Sequence, residues 1–567
     1  MRRSFRSVSS SSLSSTRERA LSMSSSEDGG VDEYKQKRSG GASGCCAPAG
    51  NKVKLLTLCG GLSIVTNFPE GYCNSYPNTS HLSFQKMINE SFISRGSEGG
   101  ISEGAFTWYW SLMLNIWFLG YLIGTFLTPY LTDGLGRKKS LFIANIIALI
   151  GAILSFIGVI CAIPEVIFIS RIVASVSSGI SFGSLILFLQ EATPTEQRGV
   201  TSFLCESTFI ATTALGIGCG MDIIFGKNLA LLTGVAIIPA VLSIIIIYPL
   251  YDTPKFLLIN CDNRTEALKS LEFYRGISRE NEEVLDEMMM ESEMGEKEEK
   301  VSMISGIREV MSEGHLRMAF FLGIASLQII VGIWPIVYLS TDLLESHFSL
   351  TISQIASFVF IMANFIASIA GCYIIERFNR RSLLILMGIA STLCLCLYIG
   401  SDLLIPVWSP SKWGQIIALV LFGFTYGIAL GPIAFFITSE LVAQRHRAVV
   451  QSMVFGFNTI MNFIVSFVTL PLYDAFGPLS FLPLLVLPSS LCLIFLYYYL
   501  PETRGREVHE VVEELMNRHS KGLTAASSLS SINEQRGQRN ISISVLSNAT
   551  LGMKNEKDIE KEKEATF

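Results

Sequence analysis

Twelve apolar runs of about twenty residues dominate this chain, and a helix of that length crosses roughly 30 Å of hydrocarbon. They lie near 54–76, 107–130, 140–161, 165–189, 200–224, 229–250, 317–342, 351–374, 382–404, 414–438, 449–474 and 478–500. Backbone N–H and C=O groups in lipid must be satisfied inside the segment itself, so such runs fold as spanning helices. The fold class predicted is therefore an all-α membrane protein. With 567 residues, 50% hydrophobic and 16% charged, the chain is too apolar for a string of soluble domains. The net charge of −5 decides little, because the charges sit in loops and tails. Most of the twelve cysteines, Cys161, Cys372, Cys394 and Cys396 among them, lie inside apolar runs as small hydrophobes. No zinc-type spacing occurs, so neither a metal, a cofactor nor a nucleic-acid partner is expected.

The loops set the orientation. With the N-terminus inside, the outer loops hold only Lys86, Arg95, Lys227 and Lys412, and nearly all the other Lys and Arg face the cytoplasm, as the positive-inside bias requires. Residues 1–52 read as a disordered Ser-, Gly- and Arg-rich cytoplasmic tail, in which Cys45-Cys46 could carry a palmitoyl group. The expected plan continues with a six-helix bundle at 53–251, a Glu/Lys-dense helical linker at 252–316, a second bundle at 317–500 and a cytoplasmic tail at 501–567. The long outer loop, 77–106, carries two glycosylation sequons at Asn78 and Asn89, with Asn89 further from the span and easier to reach. Asn263, Asn540 and Asn548 also match, but on the cytoplasmic side, where they are chance matches.

The charged punctuation occurs twice, about 250 residues apart, which is the mark of a duplicated transporter. Glu191 precedes Arg198 by seven positions, as Glu440 precedes Arg447. The stretch from Asp133 to Lys139 is echoed by Glu376 to Arg381, and Asp252-Thr253-Pro254-Lys255 by Glu502-Thr503-Arg504. If two halves rock against each other, the side that closes needs contacts that form in one state and hydrate in the other. Carboxylate–guanidinium pairs suit this, being directional and bidentate. Arg137, Glu191, Arg198, Arg380, Arg381, Glu440 and Arg447 are the candidates for such a latch. Gly332 and Pro335 in the seventh span, and Gly427, Gly431 and Pro432 in the tenth, are candidate hinges. Gly179 and Gly183 read as sites of close helix packing.

Together these motifs resemble the glucose-transporter-type (facilitative hexose) family of the major facilitator superfamily. The resemblance rests on Asp133…Gly136-Arg137-Lys138, Glu191…Arg198-Gly199, Thr253-Pro254-Lys255-Phe256-Leu257, Glu376-Arg377…Arg380-Arg381, Gly431-Pro432-Ile433 and Pro501-Glu502-Thr503-Arg504-Gly505-Arg506, in order over about 53–510. It implies two pseudo-symmetric six-helix bundles, a central site near the bilayer midplane, an intracellular helical segment and alternating access. It also implies a plasma-membrane carrier of a small, sugar-like polar solute.

Its sugar-contacting positions carry over unevenly. Gln328 matches the first of a Gln-Gln pair, while Ile329 replaces the second. Asn364 matches a family Asn, and Tyr338 keeps a gating aromatic. Trp334 and Thr459 stand where Asn is usual, Phe435 where Trp is usual, and Glu206 where Gln is usual. A carboxylate inside a span is costly unless it faces a cavity, finds a partner or takes up a proton. Glu206 thus either meets a cationic or proton-coupled substrate, or stays protonated and donates to a hydroxyl as Gln would. Proton-coupled family members carry an Asp just after a Gly-Tyr pair in the first span. Cys73 follows Gly71-Tyr72 here, which points to uncoupled flux, with Glu70 expected near the outer mouth.

The alternatives are an organic-cation or other polar-solute carrier, and a sensor that binds without transporting. An integral-membrane enzyme is disfavoured, because His81, His315, His347, His446, His509 and His519 all fall in loops or tails, where no buried His cluster is expected.

Overall fold

The structure is a computed structural model that describes residues 49–97, 99–194, 198–278, 281–297, 303–506 and 508–517. Both tails outside that range, with Cys45-Cys46, Asn540 and Asn548, lie outside the described residues, as do the side chains of Arg198 and Glu376.

Each apolar run is a helix. The first six spans are Ala49–Thr79, Glu103–Leu135, Arg137–Ile160, Pro164–Ala192, Arg198–Cys219 and the pair Leu229–Val235 and Ile237–Ile247. The second six are Gly314–Gln328 with Ile333–Glu345, Leu350–Arg377, Arg380–Leu404, Lys412–Thr425 with Gly431–Glu440, Gln444–Phe476 and Leu487–Tyr499. Among the described residues, ten helical stretches are long and apolar enough to span by length and composition; the first and fifth spans complete twelve. Their outward faces are bare hydrocarbon: Ile238, Val241, Leu242 and Ile245 of the sixth span are all exposed. Acyl chains would cover such a face.

Inside the halves, small residues let helices approach closely. A Cβ on Gly179 of the fourth span would lie 2.8 Å from the Thr125 backbone nitrogen of the second, and one on Gly183 would lie 2.8 Å from Thr128 Cγ2. Both glycines therefore serve packing, as the sequence suggested. Between the halves run four short helices, Pro254–Ile259, Arg264–Arg275, Asn281–Lys297 and Met303–Ser312. Leu258, Ala267, Leu271, Leu285 and Met288 form a small core of their own within this linker. Residues 77–106, read from sequence as a loop, contain the helix His81–Ser94, whose Phe84 and Ile88 are buried.

Candidate functional site

The repeated charged motifs fold into two matching hubs at one end of the molecule, the Arg137 end. Asp252 accepts hydrogen bonds from the backbone N–H of Lys138 (3.1 Å) and of Thr253 (3.0 Å). Glu502 does the same for Arg380 (2.9 Å), Arg381 (3.2 Å), Thr503 (3.2 Å) and Arg504 (3.1 Å). Each carboxylate thus fills unpaired N–H groups at the start of the third or ninth span, where the helix dipole also favours negative charge. Sequence reading recorded the echo of Asp252 and Glu502 without giving either this role. Arg137 pairs with Glu191 (3.0 Å), both only 12% exposed, and Thr253 donates to the other Glu191 oxygen at 2.5 Å. Arg380 pairs with Glu440 in the second half, and Arg381 donates to the Tyr497 carbonyl at 2.5 Å. Arg447 is half-buried there, with an unpartnered Nε. These ion pairs join helices within one half.

Contacts between the halves gather at the opposite end, the His81 end. Asn78 donates to the Val337 carbonyl (2.9 Å) and Ser340 Oγ (2.8 Å), and accepts from the Thr341 N–H (3.0 Å). Gln354 donates to the Thr79 carbonyl (2.7 Å) and to Asp222 (3.3 Å), and Thr107 donates to Asp474 (2.8 Å). His81 Nε2 lies 3.2 Å from Asp342 and 3.0 Å from Glu345. Burial alone would lower the His81 pKa, but Asp342 and then Glu345 outweigh it, so the imidazole is held above its ordinary value. What sequence did not reveal is that one loop histidine is buried and folded against acids about 260 residues away, a proximity that no spacing rule shows.

Beneath this seal the seventh span breaks. Between Gln328 and Ile333 the chain makes tight bonds of the Ile330-to-Leu327 and Ile333-to-Ile330 type (both 3.1 Å), with Gly332 in the turn and Pro335 just beyond it. The break carries Trp334 and Tyr338 against aromatic rings of the first half: Phe118 lies 5.7 Å from Trp334 and 5.9 Å from Tyr338, and Phe209 lies 6.2 Å from Trp334. The tenth span has a π-type turn at Tyr426–Leu430, directly before Gly431 and Pro432. Such turns inside α-helices recur at functional sites. A Cβ on Gly427 in that turn would lie 2.6 Å from Asn364 Oδ1, so only glycine lets the amide sit there.

Several polar atoms around this region have no partner. Asn364 Oδ1 and Tyr338 Oη are buried and unbonded, and the half-buried Gln328 side chain makes no hydrogen bond among the described residues. Asn458 and Asn462 each bury an unbonded amide oxygen on the eleventh span, whereas Thr459 between them returns its hydroxyl to Phe455 O (2.9 Å). The unbonded groups are thus on the two Asn neighbours rather than on Thr459, and the four-residue spacing of Asn458 and Asn462 on one helix face is the sequence signal for them. Phe435 stacks edge-on against Phe455, 6.0 Å away within the second half.

Glu206 is half-buried and Glu70 only 7% exposed; neither is hydrogen-bonded or ion-paired among the described residues. They lie close enough to feel each other's charge. Asn67, one turn before Glu70, donates to the carbonyl of Cys205 (2.9 Å), the neighbour of Glu206. The expectation that Glu70 sits at the outer mouth is thereby corrected: the first and fifth spans pack together at this level, with each carboxylate within range of the other's charge. Arg171, which the sequence reading did not single out, is a buried cation in the fourth span. It donates to the carbonyls of Cys73 (3.2 Å) and Leu114 (3.1 Å) and stacks over Trp117. An Arg inside an apolar run was the available signal.

Of the sequons, Asn78 is buried and engaged as described, while Asn89 is half-buried and accepts from the Ile101 N–H (3.0 Å).

The chain has known counterparts in sequence and in fold. The family model "Sugar (and other) transporter" matches residues 62–515. The chain belongs to that family. Facilitated glucose transporter member 1 of solute carrier family 2 from Gallus gallus is 27% identical over 463 residues, covering 81% of this chain and 92% of that protein. Member 4 from Bos taurus is 27% identical over 448 residues, covering 78% and 87%. Among solved structures, the inward open conformation of the xylose transporter XylE from E. coli aligns with a TM-score of 0.65 at 17% identity, covering 80% of this chain and 98% of that one. Membership makes the chain a multi-pass membrane transporter of the major facilitator fold rather than an enzyme.

Proposed function

We propose that the chain is a facilitative uniporter of a sugar or similar small polar solute, working by alternating access in the plasma membrane. The halves 53–251 and 317–500 are the rocking units, the His81 end is extracellular, and both termini are cytoplasmic. The observation that carries this reading is the pair of buried, unpartnered polar atoms Tyr338 Oη and Asn364 Oδ1 beside the break of the seventh span and the π turn of the tenth, with the half-buried Gln328 side chain at that break. Buried polar groups without partners are costly, and hydroxyls of a solute would satisfy them. The substrates named for the glucose-transporter relatives agree with it. The test is uptake of a labelled panel of hexoses, polyols and organic cations into proteoliposomes. A hexose or polyol should equilibrate without accumulating, and Gln328→Ala or Asn364→Ala should raise KM by about tenfold, the loss of one or two hydrogen bonds to the solute. Uptake of cations alone would overturn the sugar reading.

A second reading has its own support. Glu70 and Glu206 are carboxylates within range of each other's charge and without partners among the described residues, an arrangement that suits a cationic solute or a carried proton. Under it, Glu206→Gln abolishes cation uptake or pH-driven accumulation. Under the first reading, the same change leaves flux of a neutral sugar nearly intact.

A further inference from the structure

We propose that His81, Asp342 and Glu345 form a divalent transition-metal site, of the zinc class, that clamps the two halves together at the His81 end. The donor set is one imidazole nitrogen and two carboxylate oxygens, with ligand atoms all within 4.8 Å of one another. Ligand atoms about 2.1 Å from a tetrahedral ion lie about 3.4 Å apart. The observed separations of 3.2 and 3.0 Å from His81 Nε2 need only a few tenths of an ångström of opening to admit the ion. Asp342 and Glu345 are three residues apart on one helix, so both carboxylates face the same side. His81 is 6% exposed, whereas Asp342 and Glu345 keep 27% and 32%, which leaves the ion a route from water and room for a water ligand. Asp474, held by Thr107, lies close enough to Asp342 to add negative charge beside the site. An imidazole with carboxylates selects zinc, nickel or copper over magnesium and calcium, which prefer oxygen alone.

The ligands come from opposite halves: His81 begins the helix after the first span, and the acids end the seventh. An ion that needs all three binds only while this end is shut. Binding only one of two states shifts the population toward it. Zinc is therefore an inhibitor acting from this side, competing with protons for His81 Nε2. The clamp rests on the alternating-access reading; the site itself does not.

The experiment is a zinc titration of the purified full-length protein, read by thermal stability and by direct zinc binding, with magnesium as control. Zinc should raise the Tm of wild type. Losing even an outer-shell partner of a metal costs roughly 10–100-fold in affinity, so His81→Ala and, separately, the more exposed Glu345→Gln should each weaken zinc binding at least tenfold. Equal zinc affinity in wild type and Glu345→Gln would overturn the site, leaving His81 as an ion pair only. In proteoliposomes, zinc on the His81 side should slow flux in wild type and not in Glu345→Gln. Zinc that binds with wild-type affinity but leaves flux unchanged would overturn the clamp while the site stands.

Discussion

Asn78→Ala should release the seal at the His81 end. The Asn78 amide makes three bonds to the seventh span, at 2.9, 2.8 and 3.0 Å, and all three cross from one half to the other. None of them holds either half together internally, so their loss falls on closure rather than on folding. A neutral hydrogen bond is worth about 0.5–1.5 kcal/mol net, so three give roughly 1.5–4.5 kcal/mol. At about 1.4 kcal/mol per factor of ten, the balance between the shut and open forms of this end should move roughly 10- to 1000-fold. The assay is labelling of Val337→Cys, a position only 5% exposed in the shut form, with an impermeant thiol reagent added from the His81 side. Labelling should accelerate when Asn78→Ala is added, and Ser340→Ala should accelerate it less, because it removes only one of the three bonds. Unchanged labelling in the Asn78→Ala background would refute the view that this amide holds the end shut. The same variant separates the sequons, since a buried, fully engaged Asn78 should carry no glycan and its loss should leave gel mobility unaltered.

Asn89→Gln should abolish the mobility shift produced by deglycosylation; a glycan at Asn263, whose side chain instead caps a linker helix through the Glu266 N–H at 3.1 Å, would reverse the proposed orientation. Glu440→Gln or Arg447→Ala should slow transport several-fold with normal delivery to the membrane, and should raise the accessibility of a cysteine placed in the vestibule at the Arg137 end. Removing one partner of a fully buried pair costs about 3–5 kcal/mol. The Arg380–Glu440 side chains are 28% and 23% exposed and lie within one half, so the lower part of that range is a cost to the second half itself, and the vestibule labelling reads the further contacts that Glu440 gains when this end closes.

The fold was legible because its two strongest signals are local. Apolar length marks the spans, and the echo of Glu191…Arg198 in Glu440…Arg447 marks the duplication. The helix irregularities were legible too, since Gly332 and Gly431-Pro432 stand at the break of the seventh span and after the π turn of the tenth. What stayed hidden depends on which residues meet across the halves. His81 looked like a loop residue because its partners lie on the seventh span, and Glu70 looked peripheral because only the Asn67–Cys205 packing fixes its depth. Asp252 and Glu502 show the same limit in milder form: their repetition was visible, but their role as caps depends on where the third and ninth spans begin.

The two hubs share a plan but differ in how well they are satisfied, and that difference predicts which half changes partners when the Arg137 end closes. In the first hub Glu191 uses both oxygens, one on Arg137 and one on Thr253. In the second, Glu440 Oε2, Thr503 Oγ1 and Arg447 Nε are buried without hydrogen-bond partners among the described residues. An unsatisfied buried group costs about 1–3 kcal/mol, so the second hub stores the greater drive to gain contacts in the other state. Thr253→Ala should therefore lower the Tm of the state described here, because a hydrogen bond to a charged group is worth about 1.5–3 kcal/mol. Thr503→Ala should leave that Tm unchanged or raise it, since it removes a buried hydroxyl that bonds to nothing in this state. It should slow transport, because the state closed at the Arg137 end would lose a donor for Glu440. Equal Tm losses from the two substitutions, or normal flux in Thr503→Ala, would show that the unsatisfied groups of the second hub are not held for a change of partner.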